Sequence, residues 1–385
     1  MSITPVVAKK ILKKAYFSRI RPNGMKPAVL LIGPPGIGKS TVVYEVARDI
    51  AQALKRKFIR YEEDKAEEIL QNPDRYFVFV DLRLTEVEPS DLLGVPRDIG
   101  SWITYKPLRW VACLSKCPGI LFLDELTNVQ RDDVLAVSYK LILDRMAGFV
   151  PFSEGVMVVA AGNAPEHSML ARNLPAPLIG RVCILNISPP TVEQWIEWMD
   201  RTYGDAWCKR VGAYLMMNRG DLYTPPDSTE TLEGYPSPRT WTMFASVLGN
   251  DYEMKFTPDE ITTLAIGYLG KSVGARVAAF INKRLPTIDE VLKSPDILTK
   301  LDVDTKMAFT AVFGRWLAED MGRLESQNVR KVISLLVSEK EEYLMLLCFM
   351  AGRKKYSLAV KISKMIPKVR MVFKKIEELK RMFEG

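Results

Sequence analysis

The stretch Gly33-Pro34-Pro35-Gly36-Ile37-Gly38-Lys39-Ser40, followed by Thr41, has the residue types and spacing to hold the phosphates of a nucleotide. In a GxxxxGKS pattern, small residues let successive backbone N–H groups curl round an anion, helped by the positive end of the following helix. Lys39 would pair with the β- and γ-phosphates, and the Ser40 hydroxyl would hold Mg²⁺. A second group lies downstream. Gly119-Ile120-Leu121-Phe122-Leu123-Asp124-Glu125 is an apolar run ending in two carboxylates. Such a run suits a parallel strand covered on both faces, and ligands bind at the carboxyl ends of such strands. Asp124 is placed to reach the Mg²⁺ shell, directly or through water. Glu125 is placed to polarise an attacking water as general base. Asn163, at the end of another apolar run, can orient that water or touch the γ-phosphate.

These residues must be positioned by strands and helices, and the pattern supplies them. Apolar runs at 28–32, 76–82, 121–124, 156–161 and 182–187 read as five buried strands separated by helical patterns. They imply a three-layer α/β sandwich with a mainly parallel sheet over residues 25–190. The charged segment 55–71 reads as a continuation of the helix that begins at Thr41. Two hairpins are expected as insertions, near 94–107 and 148–155, projecting Trp102, Ile103 and Tyr105, and Phe149 and Phe152. Residues 1–24 read as an amphipathic N-terminal helix and linker.

After Pro189-Pro190 the pattern turns helical. Thr191 with Gln194 three residues on fits a capping box, and Ser237-Pro238 fits an N-cap with proline at N1. Residues 191–250 then begin a helical lid. Residues 251–385 extend it or form a partner-binding domain, with helices expected at 258–267, 273–285, 305–321 and 360–383, the last kinked at Pro367.

The 385 residues, 48% hydrophobic and 26% charged, describe a globular chain of about two domains. No apolar run reaches the ~18 residues of a membrane span, and no signal-peptide pattern opens the chain, so a cytoplasmic protein is expected. Five cysteines without a CxxC pair and a single histidine, His167, give no support to zinc or to histidine catalysis. The net charge of +8 is local: residues 351–385 hold eight Lys, three Arg and three Glu, so the rest of the chain is neutral. That basic segment is either the wet face of a packed helix or a patch for nucleic acid, an acidic protein surface or anionic lipid.

The chain resembles the AAA+ ATPases, and among them the MoxR-like branch (the AAA_5 type). The resemblance rests on GPPGIGKS at 33–40, LFLDE at 121–125, AAGN at 160–163, LPAPLIGRV at 174–182 and SPRTW at 237–241. It covers residues 25–250 and implies a P-loop NTPase core followed by an α-helical lid, with ATP/ADP and Mg²⁺ as cofactors. Asn163 resembles sensor 1, Arg181 the arginine finger acting in trans, and Arg239 sensor 2, reaching from the lid. Arg172 is a second candidate for an intersubunit contact. Common members of the branch have Asp-Arg-Phe where this chain has Gly180-Arg181-Val182, which keeps the arginine.

The resemblance implies a homo-oligomeric ring, a hexamer by family habit, because a site completed by a neighbour's arginine turns over poorly alone. It also implies a chaperone that remodels or activates a separate client protein, often one with a von Willebrand factor A domain. Two alternatives stand beside it. One is a nucleic-acid translocase or loader using the basic C-terminal segment; the other is a scaffold ring assembled by ATP binding.

Overall fold

The computed structural model describes residues 2–18, 26–101, 103–167, 171–225, 232–351 and 355–365. Trp102, Pro367 and most of the basic C-terminal segment lie outside the described residues. The chain divides into two compact units, residues 1–190 and 191–385.

The first unit runs α1 (Pro5–Tyr16), β1 (Val29–Ile32), α2 (Lys39–Ala53), β2 (Lys57–Arg60), α3 (Ala66–Gln71), β3 (Tyr76–Arg83) and α4 (Ser90–Leu93). It continues through β4 (Val95–Asp98), β5 (Ile103–Lys106), α5 (Arg109–Lys116), β6 (Gly119–Asp124), α6 (Asp132–Leu143), β7 (Met146–Ala147) and β8 (Val150–Pro151). It closes with β9 (Val156–Gly162), α7 (Ala176–Ile179) and β10 (Cys183–Asn186). Six strands form one sheet in the order β10-β1-β9-β6-β3-β2, every neighbouring pair parallel. With its flanking helices this is a P-loop NTPase architecture.

β6 and β9 are buried along almost their whole length and β3 from Tyr76 to Val80, as continuous apolar runs in a two-sided parallel sheet must be. Aromatic rings knit helix to sheet. Phe79 stacks near Phe122 at 6.3 Å, and Tyr44 of α2 meets Phe58 and Phe79 edge-on at 5.2 and 5.6 Å.

The sheet has one strand more than the sequence pattern suggests. The segment 55–71 is not one continued helix. It folds as β2, a short loop and α3. β2 is a four-residue edge strand, and of its residues only Ile59 is buried while Lys57 and Arg60 are exposed. One buried residue in four leaves no period to detect, and charged residues on an edge strand guard it against pairing with another chain.

α1 is built into this unit. Ile3 pairs in parallel fashion with Ile187, and Lys9 bonds Glu45 of α2 at 2.7 Å with Asp49 at 3.3 Å. At the amino ends of the strands, the Tyr16 hydroxyl donates to the Gly155 carbonyl at 2.8 Å. The buried Lys26 ammonium donates to the Tyr16 carbonyl, also at 2.8 Å. The Arg145 guanidinium, also buried, donates to the carbonyls of Ile142, Val156 and Lys26. Burial pushes its pKa down to about 10, which still leaves it charged at neutral pH.

Two hairpins stand out from the unit. β4–β5 has all its strand residues exposed. β7–β8 turns at Gly148-Phe149, slightly earlier than the pattern suggests. Tyr105 and Phe149 bring the two together, with ring centroids 5.9 Å apart. Ile103 (75% exposed) and Phe149 (74%) are left in solvent. Phe152 is buried under Trp110, not projected outwards.

The second unit is helical: α8 (Val192–Tyr203), α9 (Lys209–Met217), α10 (Pro238–Leu248), α11 (Tyr252–Lys255), α12 (Pro258–Ile281), α13 (Ile288–Lys293), α14 (Val303–Glu319), α15 (Gln327–Glu339), α16 (Glu341–Met350) and α17 (Lys355–Met365). Capping boxes start α8 at Thr191 and α10 at Ser237. Two more, at Thr257 and Thr287, start α12 and α13. Trp195 and Trp207 meet edge-to-face, while Phe309, Phe313 and Trp316 stack along α14.

α12 is the one helix among the described residues long and apolar enough to cross a membrane, but it is interrupted. Gly270 has φ 75° and ψ 167°, and its two halves belong to the core around Trp241 and Phe280. A Cβ on Gly270 would also lie 2.6 Å from the Gly234 carbonyl oxygen. Gly270→Ala is expected to cost about 1–3 kcal/mol of stability, because that backbone region is nearly closed to other residues. Urea denaturation measures it; an unchanged midpoint would show that the break is not required.

Candidate functional site

The carboxyl ends of three adjacent strands carry the residues that the sequence singles out. β1 leads into the glycine loop, β6 into Asp124 and Glu125, and β9 into Asn163. β9 lies between β1 and β6, so Asn163 sits between the loop and the two carboxylates.

The loop takes its shape from glycine. Gly38, N-cap of α2, has φ 96°, a left-handed conformation that favours glycine. The Lys39 ammonium folds back over the loop. It donates to the carbonyls of Gly33 (2.7 Å) and Pro34 (2.8 Å) and to Oδ1 of Asn163 (3.0 Å). Ser40 Oγ donates to Asp124 Oδ2 at 2.8 Å, across from α2 to β6. Asp124 Oδ1 accepts the Glu125 N–H at 2.9 Å. A hydroxyl and a carboxylate in contact at the first turn of a helix are a hard-oxygen pair that suits Mg²⁺, which takes few protein ligands and keeps several waters. A cation at Lys39, on the first turn of α2, suits polyphosphate. The residues present therefore fit Mg·ATP.

Glu125 is held in an unusual way. Its φ is 61°, one of three positive values outside glycine among the described residues. Its carboxylate accepts a hydrogen bond from Thr85 Oγ1 at 2.8 Å and lies 3.7 Å from Arg83 Nε. Arg83 ends β3 directly beside Asp124 in register. Neither Thr85 nor Arg83 stands out in the sequence, because their role comes from a cross-strand register that no local pattern encodes. Asp81, two residues before Arg83, has its carboxyl raised by burial, opposed by the Arg60 guanidinium at 3.0 Å and assisted by the charge of Asp124.

The three arginines fall in different settings. Arg172 Nη1 meets Asp132 Oδ1 at 2.7 Å and its Nε donates to Gln130 at 3.2 Å, so it is engaged within its own chain. Arg181 is exposed in the turn before β10 and has no side-chain partner among the described residues. Arg239 is exposed on the first turn of α10, in the second unit.

This arrangement defines a nucleotide-binding class of protein. Residues 29–185 match the family model described as "ATPase family associated with various cellular activities (AAA)". No curated protein matches the chain. Among solved structures, a mutant of Thermotoga maritima RuvB is similar at 16% identity, over 82% of this chain and 79% of that one, with a TM-score of 0.30. The ORC2 protein of Aeropyrum pernix, in ADPNP and ADP complexes, is similar at 12% identity, over 89% and 85%, with a TM-score of 0.30.

The left-handed Glu125 backbone generates a stability ordering. Glu125→Gly is expected to leave the protein more stable than Glu125→Ala by about 1 kcal/mol, since only the alanine keeps the Cβ clash of the left-handed region. Thermal denaturation of the two variants decides it; the opposite order would remove the strain.

Proposed function

We propose that the chain is a Mg·ATP-hydrolysing, ring-forming AAA+ motor of MoxR-like type that remodels a separate partner protein. The carrying observation is the meeting of Lys39, Ser40, Asp124, Glu125 and Asn163 at three neighbouring strand ends. Bound Mg·ATP supplies the electrophilic phosphoryl group and the counter-charge around it. The chain's own groups do the rest. The amides of Gly36 to Thr41 cradle the phosphates, and Lys39 exchanges its loop carbonyls for phosphate oxygens. Ser40 and Asp124 hold the metal. Glu125 takes the proton of the attacking water, and Asn163 orients that water.

Arg181 completes a neighbour's site in trans, and its exposure with no described partner supports that role. Arg239 acts as sensor from the second unit. The cis pairing of Arg172 with Asp132 argues for a bracing part instead. The client meets the exposed hairpins at Ile103, Tyr105 and Phe149.

Two measurements test this reading. Lys39→Ala is expected to weaken ATP binding about 10- to 100-fold by loss of a charge-assisted bond, measured by titration with a fluorescent nucleotide; unchanged affinity would remove the phosphate role. Glu125→Gln is expected to bind ATP without turning it over. Light scattering should then show a discrete ring with Mg·ATP and a smaller particle without it. A monomer with ATP demonstrably bound would overturn the ring.

A further inference from the structure

We propose that Thr127 is a positioning residue for turnover: its buried hydroxyl fixes Asn163 against the loop that carries Glu125, so that the groups at the ends of β6 and β9 act as one body. The proposal rests on the ATPase reading above and concerns a residue that carries none of its chemistry.

Thr127 lies two residues beyond Glu125, on the single helical turn Leu126–Asn128, and is only 3% exposed. Its Oγ1 accepts the Asn163 N–H at 2.8 Å, and its carbonyl accepts the Arg172 N–H at 2.7 Å. Both the strand end and the chain beyond it are therefore fastened to one residue of the Glu125 loop. Asn163 in turn accepts from Lys39 through Oδ1. A hydrogen-bonded line thus runs from the Glu125 loop through Thr127 and Asn163 to the glycine loop, across three strands.

The packing around Thr127 shows why threonine is suited to the position. A Cβ on Gly162 would lie 2.5 Å from Thr127 Oγ1 and 2.7 Å from its methyl carbon. The last residue of β9 is glycine, and the threonine side chain rests on its backbone. Valine keeps that shape and loses the acceptor. Serine keeps the acceptor and loses the methyl contact. The two substitutions therefore separate the hydrogen bond from the packing.

The physical consequence is geometric. Without the Thr127 acceptor, the Asn163 N–H has lost its partner, and Asn163 is held less firmly relative to Glu125. Small misplacements of groups that must converge on one water are costly to rate while leaving phosphate binding intact. The expected signature is a fall in kcat without a change in nucleotide affinity.

The test compares wild type, Thr127→Val, Thr127→Ser, Asn163→Ala and the Thr127→Val/Asn163→Ala double variant in steady-state Mg·ATP hydrolysis. ADP affinity and the amide exchange of Asn163 are measured alongside. Thr127→Val should lower kcat about tenfold with ADP affinity unchanged, and Thr127→Ser should restore most of it. In the Asn163→Ala background, Thr127→Val should add no further loss, because the two act through one line. The Asn163 amide should exchange faster in Thr127→Val and remain protected in Thr127→Ser. Wild-type turnover with Thr127→Val within about twofold of it, or losses that simply add, would overturn the role of Thr127 while leaving the ATPase reading in place. A wild-type protein that does not hydrolyse ATP, with its Asn163 amide still protected, would overturn the ATPase reading and the Thr127 role with it.

Discussion

The position of β9 between β1 and β6 is the constraint from which the site follows. Parallel strands present their carboxyl ends on one edge of the sheet, so neighbours in space present neighbouring loops whatever their separation in sequence. Asn163 stands 124 positions after Lys39 and still meets its ammonium at 3.0 Å. With β9 at an edge of the sheet, the glycine loop and the carboxylates would have no polar residue between them. The buried runs of β6 and β9 hold this order, because shifting either strand would expose apolar side chains that are now covered on both faces.

The site is polar yet well satisfied. Lys39 has three acceptors, Asp124 has two donors, and Glu125 has a hydroxyl and a nearby guanidinium. Each of these bonds is one that a phosphate, a metal or a water can replace with an equivalent. Exchange of partners of like strength lets a ligand enter without leaving a buried group unpaired. The left-handed backbone at Glu125 belongs to the same pattern: a residue kept in an unfavourable conformation by its surroundings, at the point where chemistry is expected.

What the sequence made legible was whatever is local. The glycine loop, the strand ending in Asp124 and Glu125, and the caps at Thr191 and Ser237 are short patterns whose physics lies within a few residues. β2 was hidden by its composition, since an edge strand needs few apolar residues. α13, α15 and α16 add to the helices that the pattern predicts, and of these α13 carries a local signal, the capping box of Thr287 and Glu290. Thr85, Arg83 and Thr127 were invisible for another reason. Each is an ordinary residue whose importance arises from register and strand order, and those follow from packing of the whole sheet rather than from any window of sequence.

The way the chain enters and leaves the first unit has a mechanical consequence. The Ile3 N–H donates to the Asn186 carbonyl and the Ser188 N–H donates to the Ile3 carbonyl, so entry and exit are fastened to each other. Between them, the Ile187 N–H donates to the Ile32 carbonyl, and the Ile187 carbonyl oxygen presses so close to Gly33 that any side chain there would collide with it. Tension on the backbone leaving at Pro189 is therefore applied three residues from the end of β10 and directly against the first glycine of the phosphate loop. It is shared with the N-terminal segment rather than carried by β10 alone. The same short splice puts the start of the loop next to the point where both ends of the unit are joined.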